Sequence, residues 1–337
     1  MSPQSEGQVR VTHAANERMF DATSGNYSTE QWFDRSARSP FVYDITRRRL
    51  LESLDLSGAE DVFEMGCGPG TWSRVIASRA GSLTSLDISR VMIDRAREFV
   101  RPYNVSFVHS DILRYMPERA YERVVSLRAI EYVRDKEDLV ARLARLVSED
   151  GLLVIVSKTP FSAWRGRRVI AAMRRRFSRR TAPSGDTVDA AGETPQAAYY
   201  HVRISPWRLA GMLRAAGFEG ITMRPVIVGL PILRNAEDEG SDLPLIPPAL
   251  APRVLSGFNA LGDLLSRAPQ WTMPLTLWLS ESYIIRARKH TAEQQRTHPA
   301  ARRGGARGGM ALLALIMVFV VASFVGFWAL KHRRSHP

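Results

Sequence analysis

The chain is poor in cysteine: Cys67 is the only one in 337 residues. An internal disulfide is therefore excluded, which fits a reducing cytosol and not a disulfide-stapled scaffold. No histidine–cysteine cluster has metal-ligand spacing, so no metal site is expected. The opening stretch, MSPQSEGQVR, lacks the apolar core of a signal peptide. Acid is missing from particular stretches. Eight arginines and no acid lie from Arg165 to Arg180, seven basic residues and one acid lie within 286–309, and three basic residues follow Leu330. These segments carry +17 against a chain total of +13, which leaves the remainder at −4. Basic runs serve nucleic acid or an anionic membrane surface. With the body slightly acidic, membrane phosphates are the expected partner, and no nucleic acid is expected.

What is present is an apolar content of 45%, enough for a real core, in a chain long enough for one large α/β domain with appendages. The organising stretch is DVFEMGCGPGT, residues 61–71. Val62 and Phe63 suit a buried strand with Glu64 at its carboxyl end. Gly66, Gly68 and Gly70 suit a tight turn whose backbone passes against a ligand that a Cβ would hold away. Trp72, Val75, Ile76 and Arg79 then recur at helical spacing. A second strand over 82–86 ends in Asp87, 17 residues past Gly70, near the offset of a carboxylate that accepts hydrogen bonds from ribose hydroxyls. A third strand over 105–109 leads into Ser110, Asp111 and Ile112, with Asp111 placed to accept from an adenine amino group. The spacing GxGxG departs from the dinucleotide fingerprint and argues against NAD or FAD.

The succession EMGCGPGT, LDIS, SDI and YERVVSLRAIEYV resembles the class I S-adenosylmethionine-dependent methyltransferases over roughly residues 39–160, more weakly to 289. The resemblance implies a Rossmann-like, mostly parallel seven-stranded sheet with helices on both faces, its last strand antiparallel between the fifth and sixth. It implies S-adenosylmethionine as cofactor. Glu64 would face the methionine amino group, and Gly66, Gly68 and Gly70 would let the backbone approach. Asp87 would hold the ribose, and Asp111 with Ile112 would define the adenine pocket. Ile88 and Met92 would flank the adenine, although Met92 also reads as ordinary helix core. Cys67, best read as a small turn filler, and Leu127 complete the expected binding set. Residues 1–40, with Phe20, Asp21 and Tyr27, resemble the segment that closes over the cofactor; a loosely packed lead-in is the other reading.

The domain is expected over 41–289. A helical stripe over 41–54 precedes the first strand. Helices are read at 89–100, with Ser89 as N-cap, at 135–147, and at 206–216, stopping at Gly217. Further strands are read at 123–127, 151–157, 221–228 and 282–286. Two insertions interrupt this rhythm, at 160–200 and 230–278. The first mixes Phe161, Trp164, Ile170 and Phe177 with arginines, which suits an amphipathic helix at an anionic surface or a merely solvated basic face. The second is proline-rich and carries an apolar stripe at Val254, Leu255, Phe258, Leu261 and Leu265, fit to cover an apolar substrate or to touch a bilayer. After a flexible basic linker, 290–309, residues 310–330 run MALLALIMVFVVASFVGFWAL without a charge. As a helix they span about 31 Å, the thickness of a bilayer's hydrocarbon. A C-terminal transmembrane helix is therefore expected, followed by a basic tail at 331–337. Flanking charge sets its orientation weakly; a cytosolic cofactor places the catalytic domain in the cytoplasm.

Methyl transfer is an in-line displacement, so a catalyst must align the reactants and exclude water. An oxygen acceptor also needs a base. The candidates are His201, just before a helix, and Glu131 with Tyr132 beyond the fourth strand, where many relatives carry an acid and a histidine. The anchor, the arginine-rich stretch and the proline-rich insertion point to a lipid-like or apolar small molecule, of quinone-precursor or glycolipid type. The alternatives are a soluble metabolite as acceptor and a non-catalytic, membrane-tethered binding module.

Overall fold

The structure, a computed structural model, describes residues 14–22, 25, 32, 39–160, 200–228, 251–267, 273–278 and 280–289. In chain order these form helix α1 (residues 14–22), α2 (Ser39–Leu54), β1 (Asp61–Met65), α3 (Thr71–Ala77), β2 (Ser82–Asp87), α4 (Arg90–Phe99), β3 (Val105–His109) and β4 (Tyr121–Leu127). A 3-10 turn (Ile130–Tyr132) leads to α5 (Lys136–Leu146), β5 (Val147–Lys158), α6 (Pro206–Ala215), β6 (Phe218–Val228), α7 (Ala251–Ser266), α8 (Met273–Trp278) and β7 (Ser280–Lys289).

The seven strands form one sheet in the order β3-β2-β1-β4-β5-β7-β6. The first five run parallel, and β7 pairs antiparallel with both β5 and β6. Strand order reverses between β1 and β4, and at such a switch point the connections leave in opposite directions and open a crevice at the strand tips. The period of two along β1 distributes its side chains. Phe63 and Met65 join one core with α5, α6 and β7, through Leu143, Leu213 and Ile285. Val62 joins the opposite core with α2 and α3, through Leu50 and Ile76. Both Val62 and Phe63 are fully buried, and each such side chain contributes roughly 1.5–3 kcal/mol.

Local signals set the boundaries. Ser89 caps α4, its hydroxyl accepting from the Met92 N–H at 3.1 Å, and Asp135 caps α5 by accepting from the Asp138 N–H at 2.8 Å. Four strands outrun their sequence signal, β4 by starting at Tyr121. β5 starts at Val147, ahead of the apolar run at Gly151, because Val147 pairs with Tyr121 across an irregular register. β6 starts at Phe218 and β7 reaches Lys289 because those ends pair with each other. The expected membrane helix (310–330), the arginine-rich stretch (161–180), the linker and the tail lie outside the described residues. Among the described residues, no helix is long and apolar enough to cross a membrane.

Candidate active site

The turn after β1 needs its glycines, for two different reasons. Gly66, Gly68 and Gly70 have φ of 75°, 52° and 87°, the left-handed region that a Cβ disfavours. A Cβ on Gly66 would stand 2.3 Å from the Ala129 Cβ in the loop after β4, so this glycine lets two strand tips close up. A Cβ on Gly70 would meet Val100 Cγ2 at 2.9 Å and Ala96 Cα at 3.0 Å, so this one serves the packing of α3 on α4. The turn is docked on β2: the Gly66 and Cys67 N–H groups donate to the Leu86 carbonyl at 2.7 and 3.1 Å.

Asp87, at the tip of β2, fastens this arrangement. Its Oδ2 accepts from the Gly68 N–H at 2.8 Å and its Oδ1 from the Ser89 N–H at 2.9 Å. It is buried, and burial pushes its pKa up while the N–H groups of Ser89 and Gly68 pull it back. A carboxylate offers about four acceptor positions, so beyond the N–H groups of Gly68, Ser89 and Ile88 it keeps acceptor capacity for a hydroxyl donor within the cleft that Asp87 lines.

The cleft, together with the open solvent at its mouth, takes in about 980 Å³ of empty space. Its floor is the glycine turn with Cys67; its walls include Ile88, Met92, Asp111, Ile112 and Leu127. Asp111 Oδ1 also accepts from the Leu113 N–H at 2.9 Å, which fixes the turn after β3. On the other side stand Phe20, Trp32, Trp72 and Tyr132, with Arg128 among them. Asp87 and Asp111 thus line the β2–β3 end and Arg128 the β4 end. Arg128 is held tightly. Its φ is 52°, which costs a residue with a Cβ about 1–2 kcal/mol. Its N–H donates to the Val156 carbonyl at 2.7 Å, and its guanidinium lies 4.5 Å over the Trp32 ring and donates to Ser282 Oγ at 3.2 Å.

Helix α1 closes part of the cleft, contributing Asn16 and Phe20. Asn16 Nδ2 donates to the Tyr132 carbonyl and its Oδ1 accepts from the Tyr200 N–H, both at 2.9 Å. The Ser89 hydroxyl donates to Asp21 at 2.5 Å. Asn16, Trp32 and Trp72 were not singled out as site residues from sequence. Trp72 directly follows the glycine turn, which is a usable signal; nothing local to Asn16 or Trp32 gives one.

Two expected cofactor contacts do not line the cleft. Glu64 shares its strand face with Val62, so it points beneath α3. Its Oε2 accepts from Ser73 Oγ at 2.5 Å and Ser85 Oγ at 2.8 Å, and burial raises its pKa to about 7. Gly70 serves helix packing, as above. Of the three catalytic candidates, Tyr132 lines the cleft, edge-on to Phe20 at 4.8 Å and 4.9 Å from the His201 ring. Glu131 and His201 lie outside that lining. Glu131 is buried, its Oε1 accepting from Ser157 Oγ at 2.9 Å and the Lys158 N–H at 2.8 Å. His201 is half-buried, and burial lowers its pKa against the opposing pull of Glu131. Among the described residues, no cluster of three His, Cys, Asp or Glu side chains forms a metal site.

A family model described as "Methyltransferase domain" matches residues 62–151, the segment that supplies β1 to β4 and their tips. An uncharacterized methyltransferase of Mycobacterium tuberculosis is 28% identical over 119 residues, covering 35% of this chain and 60% of that protein. Trans-aconitate 2-methyltransferase of Escherichia coli is 30% identical over 108 residues, covering 32% of this chain and 42% of its own. The chain thus spans about three fifths or less of the length of these curated relatives. Among solved structures, the [4+2]-cyclase SpnF superposes with a TM-score of 0.51 at 16% identity, over 83% of this chain and 98% of that one. A methyltransferase solved with the Trm112 activator of Haloferax volcanii does so at 0.51 and 13%, over 81% and 98%. Such likeness establishes the fold alone: one fold serves many reactions, and function belongs to the site.

Proposed function

We propose that the chain is an S-adenosylmethionine-dependent methyltransferase, held at a membrane with its catalytic domain in the cytoplasm, that acts on an apolar or lipid-like small molecule. The observation that carries the enzyme reading is Asp87. It stands at the tip of β2, beside the switch-point strand β1, ties the glycine turn to the cap of α4, and keeps acceptor capacity in the cleft. The match of residues 62–151 to a methyltransferase domain supports the same reading.

When bound, S-adenosylmethionine supplies a sulfonium-activated methyl group with a neutral leaving group. Asp87 accepts from the ribose hydroxyls, while Ile88, Met92 and Ile112 receive the adenine and Asp111 its amino group. Gly66 and Gly68 admit the methionine portion against the backbone. Phe20, Trp32, Trp72 and Tyr132 exclude water and orient the acceptor, which is the part of catalysis that alignment requires. These rings favour a planar or apolar acceptor. The uncharged run at 310–330 and the arginines from Arg165 to Arg180 support a membrane location.

Arg128 favours a second reading, a soluble anionic acceptor such as a carboxylate, since this residue lines the cleft beside Trp32. The E. coli relative is named for trans-aconitate. Tritium-labelled S-adenosylmethionine incubated with the full chain and a total membrane and cytosol extract separates the two. Label in the organic phase is expected. Label only in water-soluble product supports the second reading, and no transferred label in either phase removes the enzyme reading. Retention of the chain in carbonate-washed membranes tests the location.

A further inference from the structure

A helix lying on a domain in water points apolar residues inward and polar ones outward. Among the described side chains of α7, those that bond to α2 are polar, while two leucines face outward. Asp263 Oδ1 lies 3.3 Å from guanidinium nitrogens of both Arg48 and Arg49 on α2, and Ser266 Oγ accepts from Arg49 at 2.8 Å. Arg49 and Ser266 are both buried, so this network is the helix's seat. The outward face, at spacings of three and four, is Gly257, Ala260, Leu261 and Leu264. Leu261 is 41% and Leu264 65% exposed, and a Cβ on Gly257 would meet nothing within 4 Å. Exposed Arg253 and Arg267 bracket the strip, Arg267 also pairing with Asp263 at 2.7 Å, and no acid stands on the strip itself.

We propose that this face of α7 seats in the headgroup layer of an anionic phospholipid bilayer, a contact additional to the apolar segment at 310–330. The inference rests on the membrane reading above. Apolar side chains flanked by arginines suit that layer: the leucines enter the acyl boundary and the guanidinium groups pair with phosphates. A soluble partner protein would need a larger strip, because two leucines and two small residues supply little of a standard interface. A bilayer needs no matching shape, and the chain's own 21-residue uncharged run brings one within reach. The strip also lies at the β6 edge of the sheet, against which α7 packs, the opposite edge from β3.

The native thiol assists the test. Cys67 is buried, so a single introduced cysteine carries the label. The full chain bearing Leu264→Cys is labelled with a polarity-sensitive fluorophore and reconstituted into vesicles of phosphatidylcholine, with or without phosphatidylglycerol. Met116→Cys, at a residue 72% exposed beyond β3, is the control. The expected result is a blue shift at 264, larger with phosphatidylglycerol, and none at 116. Arg253→Glu with Arg267→Glu should lose the dependence on phosphatidylglycerol. If the chain sediments with vesicles while the 264 label keeps its aqueous emission, the seat on α7 is overturned and the membrane reading stands. If the chain does not sediment with vesicles and no shift occurs, both fail. Self-quenching of the 264 label, relieved by unlabelled chain, assigns the face to a second copy and overturns the proposal.

Discussion

Gly66 and Gly211 should respond to alanine with opposite signs. At Gly66 the new Cβ meets Ala129 at 2.3 Å and φ is 75°, so overpacking and strain together should destabilise by about 2–4 kcal/mol. Gly211 lies in α6 with open space around it, so Gly211→Ala should stabilise by roughly 0.5–1 kcal/mol through helix propensity. Thermal unfolding of the two variants checks both. Glu64 supplies a pH dependence. Its folded pKa is raised from 4.5 to about 7, so the folded state holds a proton that the unfolded state releases. Stability from this group is full below pH 4.5 and falls as pH rises to about 7, by roughly 3 kcal/mol. Glu64→Gln should flatten that decline in melts between pH 4.5 and 8, whereas an unchanged slope would contradict the assignment. Much of the cleft was legible at this scale: Gly66, Gly68, Cys67, Asp87, Ile88, Met92, Asp111, Ile112 and Leu127 all line it. The bonding of Glu64 to Ser73 and Ser85 was not legible, because it depends on which strand face Glu64 shares, and that face is the one Val62 gives to α3.

At the scale of elements, α1 is the part whose attachment is most exposed to test. Asn16 ties it to Tyr132 and to Tyr200 by two hydrogen bonds, worth about 1 kcal/mol each. Asn16→Ala should speed amide exchange in residues 14–22 roughly tenfold or more and leave the melting of the sheet nearly unchanged. Uniform exchange rates in the two proteins would mean that other contacts seat this helix. The succession of strands and helices was readable because β1 runs into Gly66, β2 ends in Asp87 and β3 runs into Ser110 and Asp111. The Ser89 and Asp135 caps set helix starts through a single side chain and its neighbours. The extra length of β5, β6 and β7 was not readable, since it comes from pairing with strands far away in the chain. Asn16 and Trp32 were equally hidden, because only the folded path brings their segment over the cleft.

On the scale of the whole molecule, two kinds of surface are set apart. The domain carries a cleft with acids at one end and an arginine at the other; of the basic runs, only Arg286, Arg288 and Lys289 on β7 fall within the described residues. The proposed membrane location predicts that salt should release any contact made through exposed arginines without releasing an apolar anchor. The central claim is narrower: the cleft holds the adenosyl group through Asp87. Calorimetric titration of the full chain with S-adenosylhomocysteine tests it most directly. The account predicts one site per chain with a dissociation constant near the micromolar range, about −8 kcal/mol, weakened roughly 30-fold or more in Asp87→Asn, as the loss of a charge-assisted acceptor requires. No binding at millimolar ligand, or equal affinity in the variant, would contradict it.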